Sequence, residues 1–288
     1  MKTHRLQLVW AALILGGLFS TPAVAANIDC PNNVSQGGIC PVVVSGDDTV
    51  SSVTGAFGKR RVYFNPTGTP GSFRGVLGVD LGAQSEVRLL IVTMKKNNGT
   101  TESDTRNITV KPGDFSIQRL TLDEKWEAFN EKTLERIRHE NKIASTLYAT
   151  ETPKRLWAEP FMMPLIGPIT GGFGLVRYIN GDPSSSHAGL DIGAISGTDV
   201  LAANDGKVAL VMDMFFSGLS LFIDHGQGLY TMYFHLSDVL VKEGDIVKRG
   251  EKIALVGATG RVTGPHLHFA VRLNTNKVNP YGLVDKRF

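Results

Sequence analysis

Gly264-Pro-His-Leu-His-Phe-Ala-Val271 is the stretch on which the reading of this chain turns. Its apolar residues Leu267 and Phe269 alternate with His266 and His268. In a strand, a period of two sends the imidazoles to one face and the apolar side chains to the other, into a core. An HxH pair alone leaves open whether those imidazoles bind anything. Five of the seven His, however, fall between 187 and 268, and this clustering is the strongest chemical signal in the sequence.

The other three of the five carry different weights. His187 and Asp191 are four apart, but Gly189 and Gly193 argue against a helix there. In a straight strand their Cα atoms would lie about 13 Å apart, too far for one ion. A bend at Gly189 is therefore expected if both serve one site; alone, the pair is common by chance. His235 ends the strand candidate Tyr230–His235, where alternation places Thr231, Tyr233 and His235 on one face. It reads equally as a core histidine or a member of a site. His225, in Asp224-His-Gly-Gln-Gly228, is assigned to a hairpin turn, and His139 to a charged helix.

Together these residues fit one chemistry. A catalytic zinc takes three ligands from His and Asp/Glu and leaves a fourth position for water. His187, Asp191 and one His of the HxH pair supply such a set. Two His then remain to manage protons and developing charge in a hydrolysis. A structural zinc would be Cys-rich, and both Cys lie far upstream at 30 and 40.

Outward from this site, residues 161–288 read as Gly-rich antiparallel strands, among them Lys207–Met212, Leu219–Asp224 and Lys252–Val256. Residues 26–118 read as a small antiparallel β-sandwich, immunoglobulin-like in spacing, with strands such as Cys40–Val44, Gly75–Leu81 and Val87–Thr93. Between them, 119–160 reads as a linker. Thr121-Leu-Asp-Glu124 has the form of a capping box, and Trp126, Phe129, Leu134, Ile137, Ala144 and Tyr148 follow at helical spacing. Pro153, Pro160, Pro164 and Pro168 then impose an extended segment.

Residues 1–25 read as a secretory leader: Lys2 and Arg5, the apolar run Leu8–Phe19, and Ala23-Val-Ala25 as a cleavage signal. The run is too short for a spanning helix. An exported, periplasmic chain is expected, without a membrane anchor once the leader is cut after Ala25. In an oxidising compartment Cys30 and Cys40 are expected to form a disulfide worth roughly 3 kcal/mol, rather than a redox pair or metal site. The formal charge of +3 over 288 residues excludes a nucleic-acid binder of the basic kind. Without Lys2 and Arg5 it falls to +1, which suits a polymer substrate.

His187-Ala-Gly-Leu-Asp191, Tyr233-Phe-His-Leu236 and Gly264-Pro-His-Leu-His-Phe269 resemble the three motifs of the lysostaphin/LytM-type zinc metallopeptidases, in order and spacing. Gly171-Gly-Phe-Gly174 and Gly257-Ala-Thr-Gly260 match as well. The resemblance covers about residues 161–282. It implies the duplicated-hybrid-motif β fold, one zinc on His187, Asp191 and His268, and His235 and His266 as the non-ligand catalytic pair. It also implies cleavage of peptidoglycan stem peptides, with the D-Ala–diaminopimelate cross-link as the expected bond. The alternative is a non-catalytic wall-binding or amidase-activating scaffold. A monomer is expected, with residues 26–160 available to a protein regulator. Phe173, Arg177, Tyr233 and Thr263 are expected to line a groove, from their nearness to the motifs.

Overall fold

The computed structural model describes residues 27–120, 129–158, 160–179, 181–284 and 286. The expected leader, the capping box at 121–124 and Trp126 lie outside these. The chain is mainly β. Among the described residues no helix is long and apolar enough to cross a membrane.

The first sheet contains β1 (Asn27–Asp29), β2 (Asn33–Ser35), β3 (Ile39–Ser45), β4 (Val50–Phe57), β5 (Arg60–Pro66), β6 (Ser72–Gly78), β7 (Val87–Lys96) and β8 (Thr101–Lys111). They are ordered β1-β3-β6-β5-β4-β7-β8-β2. Strand β5 turns the corner: residues 60–63 pair with β4 and 64–66 with β6. The sheet therefore folds over itself, and Val42, Val44 and Leu77 of one limb share a core with Leu90, Val92 and Ile108 of the other. Three details differ from expectation. The strand expected at 75–81 spans Ser72–Gly78 instead, with Val79 and Leu81 buried beyond its end. Strand β2 joins β8 in parallel. Cys30 and Cys40 are free thiols, not a disulfide. The β1–β3 register pairs Asp29 with Val43, which sets Cys30 two residues out of step with Cys40, a diagonal relation that is long for a disulfide. Burial, then the neighbouring Cys30, pushes the Cys40 thiol up to about 12.

Next come β9 (Ile117–Leu120) and α1 (Glu131–Ala149). The helix starts later than the capping box suggested. Asn130 is its N-cap, its side chain accepting from the Thr133 N–H at 2.9 Å, so Phe129 precedes the helix. One stripe of α1, with Glu140, Ala144 and Tyr148 buried, packs on the second sheet beside Phe222, Tyr230 and Met232. The proline-rich segment is docked rather than free, because Trp157, Phe161 and Leu165 enter the core of that sheet.

The second half contains β10 (Ile169–Gly171), β11 (Val176–Ile179), β12 (Asp182–Ser186), β13 (Gly189–Gly193), β14 (Asp199–Leu201), β15 (Gly206–Met214), β16 (Gly218–Asp224), β17 (Leu229–Val239), β18 (Ile246–Val247), β19 (Lys252–Val256), β20 (His266–Leu273) and β21 (Asn276–Val278). Strand β11 pairs with β12 on one side and, in parallel, with β9 on the other, a small third sheet of three strands. The others form an antiparallel sheet with the central path β10-β13-β20-β17-β16-β15-β18. One face of this sheet is the core of Leu221, Tyr233, Leu267 and Phe269. The other carries the α1 cluster of Phe222, Tyr230, Met232 and Ala270. The β20–β21 turn, Asn274-Thr275, has φ of 49° and 73° at its two residues, the left-handed pair of a type I′ hairpin. It docks on the first sheet, Asn274 donating to the Arg61 carbonyl at 2.7 Å and Asn276 to the Gly78 carbonyl at 2.9 Å.

Candidate metal centre

Strand pairing brings the first two candidates together. The β13–β20 register sets Asp191 directly opposite His268, and Gly193 opposite His266. The chain turns at His187-Ala188, just ahead of β13, and returns the His187 ring to the same spot. Its backbone is held there in both directions: the His187 N–H donates to the Leu175 carbonyl at 3.0 Å, and its own carbonyl accepts from Gly174 at 2.8 Å. Gly189 was expected to make a bend. It lies within β13 without a left-handed φ, and its role is space: a Cβ there would lie 2.6 Å from His268 Nε2. Gly171 likewise has no room for a side chain beside the Asp191 carboxylate.

His187 Nε2, Asp191 Oδ1 and His268 Nδ1 converge at 2.8 to 3.0 Å from one another. Their protonation can be worked out. His187 Nδ1 faces the Gly172 carbonyl at 2.8 Å, which only accepts, so that nitrogen holds the proton and Nε2 presents a lone pair. Asp191 is an acceptor too. Burial would raise its pKa, but any proton on the facing His187 or His268 nitrogen, through its hydrogen bond and charge, outweighs this and holds the carboxyl well below the usual range, so Asp191 has none of its own to offer. Burial keeps His268 below its ordinary value. Three lone-pair atoms thus point at one place, with at most one proton on His268 Nδ1 to bridge them. A cation resolves that conflict, and two imidazoles with one carboxylate suit zinc. The donor set fits.

His235 and His266 stand beside the set. Their ring centroids are 4.8 Å apart, and His266 Nε2 is 3.7 Å from Asp191 Oδ1. His266 Nδ1 donates to the Gly264 carbonyl at 2.9 Å and His235 Nδ1 to the Thr259 carbonyl at 3.0 Å. Each arrangement leaves Nε2 available. Burial, then the neighbouring His268, lowers His235 to about 4, so it is neutral at pH 7.

How His235 reaches this face corrects the strand reading. Strict alternation groups it with Thr231 and Tyr233, which point into the core. His235 instead has φ of +64°, a left-handed conformation costing a non-glycine residue about 1–3 kcal/mol. That single flip, together with a register shift in the β16–β17 pairing between Leu219 and Leu221, turns its ring toward His266. Phe234, on the site face by alternation, stacks on His268 with centroids 5.5 Å apart and planes 12° apart.

The expected groove is redrawn. Tyr233 is fully buried, its hydroxyl accepting from the Ala203 N–H at 2.9 Å, and lines no surface. Phe173 packs edge-on against Phe115 at 6.2 Å. Thr263 is exposed, and Arg177 lies on β11. A cavity of about 350 Å³ lies between α1 and the site face, lined in part by Tyr148, Phe222, Phe234 and Arg272. His225 does sit in the β16–β17 turn, but fully buried. Its ring bonds the Asp205 carbonyl and Thr231 Oγ1, both at 2.7 Å. Thr259, Ser217 and Gly172 were missed as supports, since they act through backbone carbonyls that no side-chain pattern announces.

Residues 185–280 match Peptidase family M23. The peptidoglycan DD-endopeptidase ShyB of Vibrio cholerae is 47% identical over 93 residues, 32% of this chain and 22% of that protein. The DD-carboxypeptidase/endopeptidase Mpg of Neisseria meningitidis is 44% identical over 94 residues, 33% of this chain and 22% of that one. The chain thus matches about a fifth of the length of these relatives. A crystal structure from Pseudomonas aeruginosa, assigned to peptidase M23, superposes with a TM-score of 0.67 at 27% identity, covering 86% of this chain and 94% of that one. With this match falling on the strands that assemble the His/Asp/His cluster, the chain carries a peptidase family M23 domain.

Proposed function

We propose that this protein is an exported, zinc-dependent endopeptidase that hydrolyses peptide cross-links of bacterial peptidoglycan, of the D-Ala–diaminopimelate type. The observation that carries the reading is the convergence of His187 Nε2, Asp191 Oδ1 and His268 Nδ1, with two further imidazoles beside them. The peptidoglycan endopeptidases among its relatives supply the substrate class. In this reading the protein is periplasmic and works as a monomer, its leader cut after Ala25, and residues 26–160 are open to a protein regulator.

Zinc bound by His187, Asp191 and His268 would polarise the scissile carbonyl and make a water acidic enough to attack at neutral pH. The chain's own residues do the rest. His235, neutral and with Nε2 free, accepts a proton from the attacking water and gives it up to the departing amine nitrogen. His266, its Nδ1–H held by the Gly264 carbonyl, donates from Nε2 when that nitrogen also carries a proton, toward the charge developing on the carbonyl oxygen. Phe234 packs flat on His268 and keeps bulk water from that side of the ring.

Digestion of purified peptidoglycan followed by mass spectrometry of the muropeptides tests this. The expected products are uncross-linked stem peptides, lost with a chelator and restored by zinc. Intact cross-links with the zinc-loaded protein would overturn the reading in favour of a scaffold.

A further inference from the structure

Glu140 is a carboxylate with no part in the chemistry above, yet it is only 4% exposed. Its Oε1 accepts from Arg136 Nε at 2.6 Å and its Oε2 from the backbone N–H of Phe215 at 2.8 Å. Arg136 also donates to the Asp213 carbonyl at 3.1 Å. Phe129, just ahead of α1, meets Phe215 and Phe216 edge-on at 5.6 and 5.8 Å. The helix thus grips residues 213–216, the tip of the β15–β16 hairpin, through charge-assisted bonds and ring contacts.

The same tip holds His235. The Ser217 carbonyl accepts the His235 backbone N–H at 2.8 Å. Gly218 packs on Thr259 and Gly260 with no room for a Cβ, and the Leu219 N–H donates to Thr259 Oγ1 at 2.9 Å. Arg261 donates from its backbone to the Phe216 carbonyl at 2.9 Å and lays its guanidinium over that ring at 4.5 Å. Thr259 in turn receives the His235 ring. Backbone and imidazole are therefore both fastened to one interlocked unit, the hairpin tip with the 257–261 loop. A left-handed non-glycine residue persists only where its surroundings over-determine it, and α1 is the outer brace of those surroundings.

We propose that Glu140 is a positioning residue, which through the β15–β16 hairpin tip holds His235 in the left-handed conformation that turns its imidazole onto the metal-site face. This rests on the reading of His235 as the proton acceptor. It gives the helical segment a task in catalysis besides joining two sheets.

The test uses the full chain loaded with zinc. Glu140→Ala is expected to lower kcat about 10- to 100-fold with KM within about twofold, the scale of a misplaced catalytic group. Bound zinc should stay at the wild-type level. Glu140→Gln keeps an oxygen for the Phe215 N–H and is expected to restore most of kcat. In histidine-labelled protein, NMR signals of the His235 ring should move in Glu140→Ala and return in Glu140→Gln, while those of His225 stay in place. Unchanged His235 signals in Glu140→Ala would overturn the proposal, as would equal losses in both variants with His225 shifting as much as His235. If the wild type cuts no cross-links, the functional reading fails by itself, and the NMR comparison still decides whether Glu140 positions His235.

Discussion

The two large sheets of this protein differ most in what they bury. The first, residues 27–111, has a core of Val, Leu, Ile, Phe, Met, Ala and Cys, and none of its described polar side chains is fully buried. The second buries His187, Asn204, Ser220, Asp224, His225, Gln227, Thr231 and Asn274 within one stretch of 88 residues. Burying a polar group without a partner costs about 1–3 kcal/mol, so a sheet that does so repeatedly must satisfy nearly all of them in place, and among the described residues Asn274 Oδ1 is the exception. His225 shows how: both ring nitrogens are bonded, and Phe161 closes over it edge-on at 4.9 Å. The first sheet is built for stability by apolar burial, whereas the second accepts polar burial to fix imidazoles in set orientations.

That contrast can be tested by substitutions that separate metal and rate from stability. The largest effect belongs to the ligands. His187→Ala or His268→Ala should reduce bound zinc, measured by elemental analysis, from one per chain to background and abolish peptidoglycan digestion. His266→Ala should keep the zinc and lose about 10²- to 10⁴-fold in kcat, the range for a general acid–base group. A variant that lost its metal here would show that the ligand set is misassigned.

In the first sheet the equivalent insult acts on stability alone. Leu90→Ala, at a fully buried site, should lower the unfolding free energy by about 2–5 kcal/mol in urea titration. Zinc content and kcat of the folded protein should remain at wild-type levels.

Acid should find the second sheet first. Burial holds the His225 pKa at about 4 in the folded state, against 6.5 for the free side chain. Between these values the unfolded chain binds a proton that the folded chain does not, so stability is present above pH 6.5 and is lost as pH falls toward 4. From pH 7 to pH 5 the loss is roughly 2 kcal/mol from this residue. Urea midpoints measured with a chelator present, to exclude metal release, check it. A flat profile over this interval would contradict the burial of His225. The smallest effect is expected on the outer face of β7, where Leu89 is 43% exposed. Leu89→Thr should shift stability by less than about 0.5 kcal/mol and leave digestion unaltered.

Period-two alternation was enough to read which face of β20 holds His266 and His268 and which holds Leu267 and Phe269, because a strand's side-chain direction is a local property. The apolar runs announced most long strands for the same reason. Short strands such as β1, β2 and β18 escaped, being two or three residues whose pairing partners, not their composition, make them strands. The helix was visible as a stripe ending at Tyr148, but its start was not. Asn130 acts as a cap only because the backbone there is extended while residue 131 is already helical.

The site divides in the same way. Sequence by itself supplied the residue types, their clustering in the second half and the shared face of the HxH pair. Only the tertiary structure decided that Asp191 faces His268, since that register joins strands 77 residues apart. It also decided that His235 leaves the face of Tyr233, since a positive φ is imposed by Ser217 and Thr259 from outside its own strand. And it gave Glu140, which in the sequence is one more charge on a charged helix, a buried place on the hairpin that holds that histidine. Alternation is written into the chain residue by residue. Register, left-handed turns and the burial of a carboxylate are properties of what packs against it.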